Sequence, residues 1–261
     1  MDIFNFDKAE LLSFYLTLFR ISIVLFMLPF FGSKTIPTPV KGALVLIITL
    51  SVWPALSFPA ELFPNNIWDI GVLILGEAFL GLTLSIAINV LFAAIQTGGH
   101  LMGFQMGFAM VNVVDPVTGV NEGVTAHFLY MTTMLTFLAL NGHLYLISGV
   151  AQSFEMVPPG QLFISPALVH NVFDLTAEMF VLAIRIASPL MVAILLVDLS
   201  LALISRAAPQ MNVLLLGFPI KILVGFVFLV LIFEVMTLHV GEWIASLNDL
   251  FYNLLYNATK H

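Results

Sequence analysis

Six apolar stretches govern what this chain can fold into. They lie near residues 11–31, 40–58, 69–96, 124–147, 167–205 and 212–240. About 20 apolar residues carry a helix across a bilayer core, and every stretch but the second reaches that length. Only 9% of the residues are charged, against roughly 25% in a soluble domain, so the chain cannot present a wetted surface. No alternating pattern long enough for a barrel strand occurs between the apolar runs. Their connections carry the Pro and Gly punctuation of turns, in "GSKTIPTPVKG", "FPAELFPNN", "DPVTG" and "VPPGQLFISP". The expected class is an all-α, polytopic membrane protein.

Charge placement sets an orientation. Lys34 and Lys41 flank the first turn between apolar runs, and Arg206 and Lys221 flank the last; these four are half of the eight basic residues. The turns at 59–69 and 148–166 carry no Lys or Arg. The positive-inside rule then places both basic turns in the cytoplasm and both termini outside. The tip residues of the last hairpin are Arg206, Pro209, Gln210, Asn212, Pro219 and Lys221. The acidic opening "MDIFNFDKAE" lacks the basic region of a signal peptide. The net charge of −7 argues against nucleic acid as a partner.

The stretch "GGHLMGFQMGFAMVNVVDPVTGVN", 98–121, does not fit that topology as an ordinary loop. It would face the cytoplasm, yet it holds no basic residue and its one charge is Asp115. A re-entrant or pore-facing segment explains it better. Gly99, Gly103 and Gly107 recur every fourth residue, which on a helix makes a smooth strip for close packing. Met102, Met106 and Met110 share that spacing beside it, with Phe104 and Phe108 between them. Asp115-Pro116 then opens a turn, and Gly119 supplies backbone freedom. Two readings stand: ordinary helix packing, or a deformable apolar seal across a passage, since methionine adapts to irregular contacts.

Six charges fall inside apolar stretches: Arg20, Glu77, Glu178, Arg185, Asp198 and Glu234. Each costs about 2.5–3.5 kcal/mol unpaired at a helix centre on insertion scales. Glu178 and Arg185 are seven residues apart, and Asp198 and Arg206 eight, so neither spacing makes a local i,i+4 pair. Partners on other helices or other subunits are expected, in structural ion pairs and not in a proton relay.

Catalytic patterns are missing from the sequence. It has no HExxH, no GxSxG and no phosphate-binding glycine loop, and no cysteine. The six histidines are scattered; His100, His127 and His143 keep no ligand spacing with a carboxylate, so neither a metal nor a cofactor is implied.

"GFQMGFAMVNVVDPVTG" at 103–119 and "DLSLALISRAAPQMNVLLLGFPIK" at 198–221 resemble the two signature regions of the FliR family, whose injectisome counterparts form the SctT family. "GEAFLGL" at 76–82 is similar to the family's third segment, and the likeness covers almost the whole chain. The resemblance implies a structural subunit of the flagellar type III export gate, passing unfolded flagellar proteins across the bacterial inner membrane. It implies assembly with FliP, FliQ and FlhB family proteins, in a basal body where much of the chain stands at periplasmic level. It implies a FliP-like helical part over 1–165, including a plug-like segment at 98–121, and a FliQ-like hairpin and tail over 166–261. The residues similar to those expected near the constriction are Met102, Phe104, Met106, Phe108 and Met110.

A small secondary transporter is the alternative, because it too has apolar helices with buried charges. Transporters of that kind carry an internal repeat with paired broken helices, and the Gly/Met motif has no second copy here. An intramembrane enzyme would need a convergent catalytic set.

Overall fold

A computed structural model describes residues 8–29, 31–32, 36–55, 66–108, 123–210 and 212–259. Among the described residues seven α-helices follow one another: α1 (Lys8–Met27), α2 (Thr38–Val52), α3 (Ile67–Gln105), α4 (Val124–Ala139), α5 (Gly142–Met156), α6 (Pro166–Ala207) and α7 (Val213–Tyr256). One 3-10 turn, Trp53–Ala55, follows α2. Among the described residues no strand occurs. α1, α3, α6 and α7 are long and apolar enough to cross a membrane.

Local chemistry sets the helix ends. α2 begins behind Pro37 with Pro39 in its first turn, where a missing N–H costs nothing. Ser165 caps α6: its Oγ accepts the Leu168 N–H at 3.1 Å and donates to the Asn257 carbonyl at 2.6 Å. Asn212 caps α7 through Oδ1 and the Leu215 N–H at 3.3 Å. Within α6, Pro189 has no N–H for the Arg185 carbonyl, and Ser188 Oγ donates to that carbonyl instead, at 3.0 Å.

The apolar stretch expected at 124–147 is not one helix. Asn141 takes a left-handed conformation, φ 57° and ψ 26°, which ends α4 and starts α5 at Gly142. A short amide side chain tolerates that backbone better than most residues do. In the other direction, α7 runs 44 residues and passes the expected end at 240. α3, α6 and α7 contain 39, 42 and 44 residues, about 60 Å each at 1.5 Å per residue. A bilayer core is about 30 Å thick, so each of these helices is about twice as long as a span requires.

The chain forms two compact units, and neither is continuous in sequence. The first comprises residues 1–89, 141–175 and 245–261, the second 90–140 and 176–244. In the first, Ile21, Leu25, Val45 and Phe154 form a buried cluster that joins α1, α2 and α5. In the second, Leu91, Ile95, Leu129, Phe137, Leu190 and Met236 are buried. The boundary read at 165/166 coincides with the start of α6, whereas both units draw residues from either side of it.

Candidate functional site

The glycine- and methionine-rich stretch begins as the last turns of α3, inside the second unit. Gly98 and Gly99 let two neighbours in. A Cβ on Gly98 would stand 3.0 Å from the Ala183 carbonyl oxygen of α6, and one on Gly99 would stand 2.6 Å from the Ala126 Cα of α4. Gly103 faces Thr125, whose Oγ would collide with any added Cβ. Thr125 Oγ1 donates to the Gly99 carbonyl at 2.9 Å, locking the start of α4 onto the strip. Thr125 and Ala126 carry no sequence mark of this role, beyond being small.

Gly107 also sits close to a neighbour, since a Cβ there would stand 2.8 Å from the Phe218 ring, but it lies past the end of α3. It has φ +89°, which an L side chain resists. Its N–H bonds the Phe104 carbonyl at 3.1 Å, and the Phe108 N–H bonds the Gly103 carbonyl at 3.0 Å. Those two bonds are the Schellman pattern, so Gly107 stops α3. The fourfold spacing suggested a strip of three; the helix ends before the third member can join it.

The methionines and phenylalanines divide by direction. Met102 and Met106 are fully buried, at 0% exposure, while Phe104 is 72% exposed. The Met106 sulfur lies over Gly225 of α7, and a Cβ there would stand 2.6 Å from it. Phe108 is half-buried and meets Phe226 edge-on at 6.5 Å. Phe108, Phe128, Phe226, Phe233, Val124 and Leu229 line an apolar pocket of about 330 Å³. Met110, Asp115, Pro116 and Gly119 lie outside the described residues.

The charges separate into three groups. Arg20 and Glu77 meet in the interior of the first unit, with side chains 1% and 2% exposed. Arg20 Nε and Nη2 donate to the two Glu77 oxygens at 2.5 and 3.0 Å, a bidentate pair. Arg20 Nη1 donates to the Ser153 carbonyl at 2.9 Å and to its Oγ at 3.2 Å. Glu77 also accepts the Gly160 N–H at 3.0 Å, and the guanidinium lies 4.3 Å from the centre of the Phe154 ring. One network thus ties α1, α3, α5 and the Pro158–Gly160 turn. Sequence reading singled out Arg20 and Glu77 and passed over Ser153, Phe154 and Gly160. The only trace of Gly160 was its place in "VPPG", and its φ of +83° explains the residue type.

Asp198 and Lys221 form the second group, an ion pair at 2.5 Å across the α6–α7 hairpin with side chains 44% and 22% exposed. Glu178, Arg185 and Glu234 form the third. They were expected to find partners on other helices or other subunits; in the single chain all three are exposed, and none has a side-chain partner among the described residues. Each stands on the outward side of its helix, where a neighbour in an assembly or a membrane would meet it. At the hairpin tip Arg206 occupies the last turn of α6, favourable to the helix dipole. Pro209, Gln210 and Asn212 are exposed, and Pro219 lies exposed within α7. Among the described residues, no three His, Asp or Glu side chains converge on a possible metal.

Residues 11–247 match the family model described as "Bacterial export proteins, family 1". The flagellar biosynthetic protein FliR of Pectobacterium carotovorum is 33% identical over 219 residues, 81% of this chain and 80% of that one. FliR of Bacillus subtilis is 29% identical over 226 residues, 85% of this chain and 86% of that one. The Yop proteins translocation protein T of Yersinia pestis is 26% identical over 238 residues, 90% of this chain and 91% of that one. Since the matched residues take in nearly every helix described above, the chain belongs to the bacterial export proteins, family 1.

Proposed function

We propose that the chain is a structural channel subunit of the flagellar type III export gate, passing unfolded flagellar proteins across the inner membrane. The observation that carries this reading is the family match over 11–247, joined to the close-packed end of α3. There Gly99 and Gly103 admit α4 and Met106 rests on α7. The plug of this reading is the stretch 98–121, whose sequence carries Asp115-Pro116 and Gly119. Within it Phe104 and Phe108 offer contact surface, while Met102 and Met106 are buried in the packing behind them.

The partners are FliP, FliQ and FlhB family proteins. What supports this is the large apolar surface left open on α6 and α7, including Leu195, Leu199, Leu223 and Val230. The part over 1–165 is FliP-like, and the hairpin and tail over 166–261 FliQ-like. Part of the chain stands at periplasmic level, because α3, α6 and α7 are about twice as long as the bilayer core needs.

The test is a clean deletion in the source bacterium. Loss of external filament protein with its accumulation inside the cell, restored by the gene in trans, is the expected result. Normal filaments together with a lost uptake of a small solute would reject the gate and favour a secondary transporter.

A further inference from the structure

Three consecutive residues at the end of α3 dock on one stretch of α7. Met106 lies along Gly225, Phe108 meets the Phe226 ring, and Phe218 covers Gly107. The same stretch turns an adjacent side to α6. Gly217 and Lys221, four residues apart, share that side. Leu201 of α6 closes on Gly217, and Asp198 of α6 pairs with Lys221. Phe218 and Gly225, seven residues apart, share the side that takes α3. The stretch 217–226 therefore joins α6 to the point where α3 stops.

Apolar packing fixes α7 on α6 only loosely at this level. An open crevice of about 330 Å³ parts the two helices, lined by Leu201, Ala202, Val213 and Phe218, with Asp198 and Lys221 in its wall. Side chains that border a gap lose the contacts that would hold them in register. Pro219 loosens the helix further, because it has no N–H for the Leu215 carbonyl. The first turns of α7, with Phe218 among them, need a hold from outside the helix. Leu201 on Gly217 and the Asp198–Lys221 pair supply it.

We propose that Asp198 and Lys221 are positioning residues for the end of α3. Their pair holds α7 on α6 in the register that sets Phe218 on Gly107 and Gly225 beside Met106. Through those contacts it protects the two hydrogen bonds that stop α3, from the Gly107 N–H to the Phe104 carbonyl and from the Phe108 N–H to the Gly103 carbonyl. This stop lies within the plug stretch 98–121, so the pair sets how firmly the plug is held at its helical end. That consequence rests on the gate reading proposed above, whereas the positioning does not.

The experiment is hydrogen exchange read by mass spectrometry on the full-length chain, with whatever co-purifies, in mild detergent. Lys221→Met should speed exchange over residues 103–108 about threefold to fivefold, the opening that loss of a half-exposed ion pair allows. Exchange over 84–95, in the middle of α3, should not change. Lys221→Arg, which keeps the cation, should restore the wild-type rate. Phe218→Ala, which keeps the pair and removes the ring from Gly107, should also speed exchange over 103–108. The two changes together should give less than the product of their separate effects, since both act through one contact. Unchanged exchange over 103–108 in Lys221→Met overturns the proposal. So does an equal rise along the whole chain, which would make the pair a general support of the fold. A full product in the double variant overturns it too, because the pair would then act by another route. Should Lys221→Met yield no protein, Asp198→Asn decides in its place by the same regional comparison. Exchange is read on purified protein, so it stands or falls separately from the deletion phenotype.

Discussion

Replacing Glu77 by Ala should be among the most damaging single changes in the first unit. The carboxylate accepts three hydrogen bonds, two from Arg20 and one from the Gly160 N–H. Without it, the guanidinium remains in a site 1% exposed, holding only Ser153 and the Phe154 ring. Leaving one member of a buried pair uncompensated costs about 3–5 kcal/mol. The stranded Gly160 amide adds about 1–3 kcal/mol. The sum is of the order of the whole stability of a domain, about 5–15 kcal/mol. The pair itself is a different matter, because replacing both charges by apolar groups of similar size is often neutral. Arg20→Met with Glu77→Leu should therefore recover most of the loss, leaving about 1–3 kcal/mol for the Gly160 amide. The assay is thermal unfolding in mild detergent for wild type, Arg20→Met, Glu77→Ala, Glu77→Leu and the double variant, read as a double-mutant cycle. If Glu77→Ala melts within the error of wild type, or the double variant is as unstable as the sum of its singles, the network does not tie these helices.

Four further outcomes follow from the same geometry. Gly103→Leu places a side chain on Thr125 and should abolish both packing and flagellar export, whereas Gly107→Ala, which adds about 1–2 kcal/mol of left-handed strain and a methyl 2.8 Å from the movable Phe218 ring, should keep partial export, read as swimming halos and secreted filament protein. Met106→Ala should cost about 2–5 kcal/mol of stability, as an emptied core position does, read as a lower melting temperature, while Phe104→Ala, at 72% exposure, should leave melting unchanged and alter membrane conductance in cells that assemble the gate. Exchanging Asp198 and Lys221, as Asp198→Lys with Lys221→Asp, should restore export that either single change impairs; failure of the exchange would mean that each charge serves a separate partner. A cysteine at Gln210 should react with a membrane-impermeant thiol reagent only from the cytoplasmic side, and labelling only from the periplasm would invert the hairpin.

Helical class, membrane residence, the sites of most connections and the family were legible in the residues alone. Hydropathy is a sum over a window, so it reports a buried or lipid-facing helix without needing its neighbours. The run "RAAPQMNVLLLGFPIK" carries identities that hydrophobicity does not demand, which is why it revealed kinship. Direction was not legible. A helix that is apolar all round has no polar face to say which side turns inward, so Met102 and Phe104, two residues apart, could not be told apart until α4 and α7 were in place. The charges show the same limit. Arg20 and Glu77 are 57 residues apart, and nothing local distinguishes them from Arg185 or Glu178. Only the packing of α1, α3 and α5 closes a dry site around the first pair and leaves the others outside. Gly107 differs from Gly103 for a related reason: its role depends on where α3 stops, and a stop is a matter of backbone hydrogen bonds that spacing does not record. Composition sets what must leave water, while the contacts between helices decide which atoms meet once it has gone.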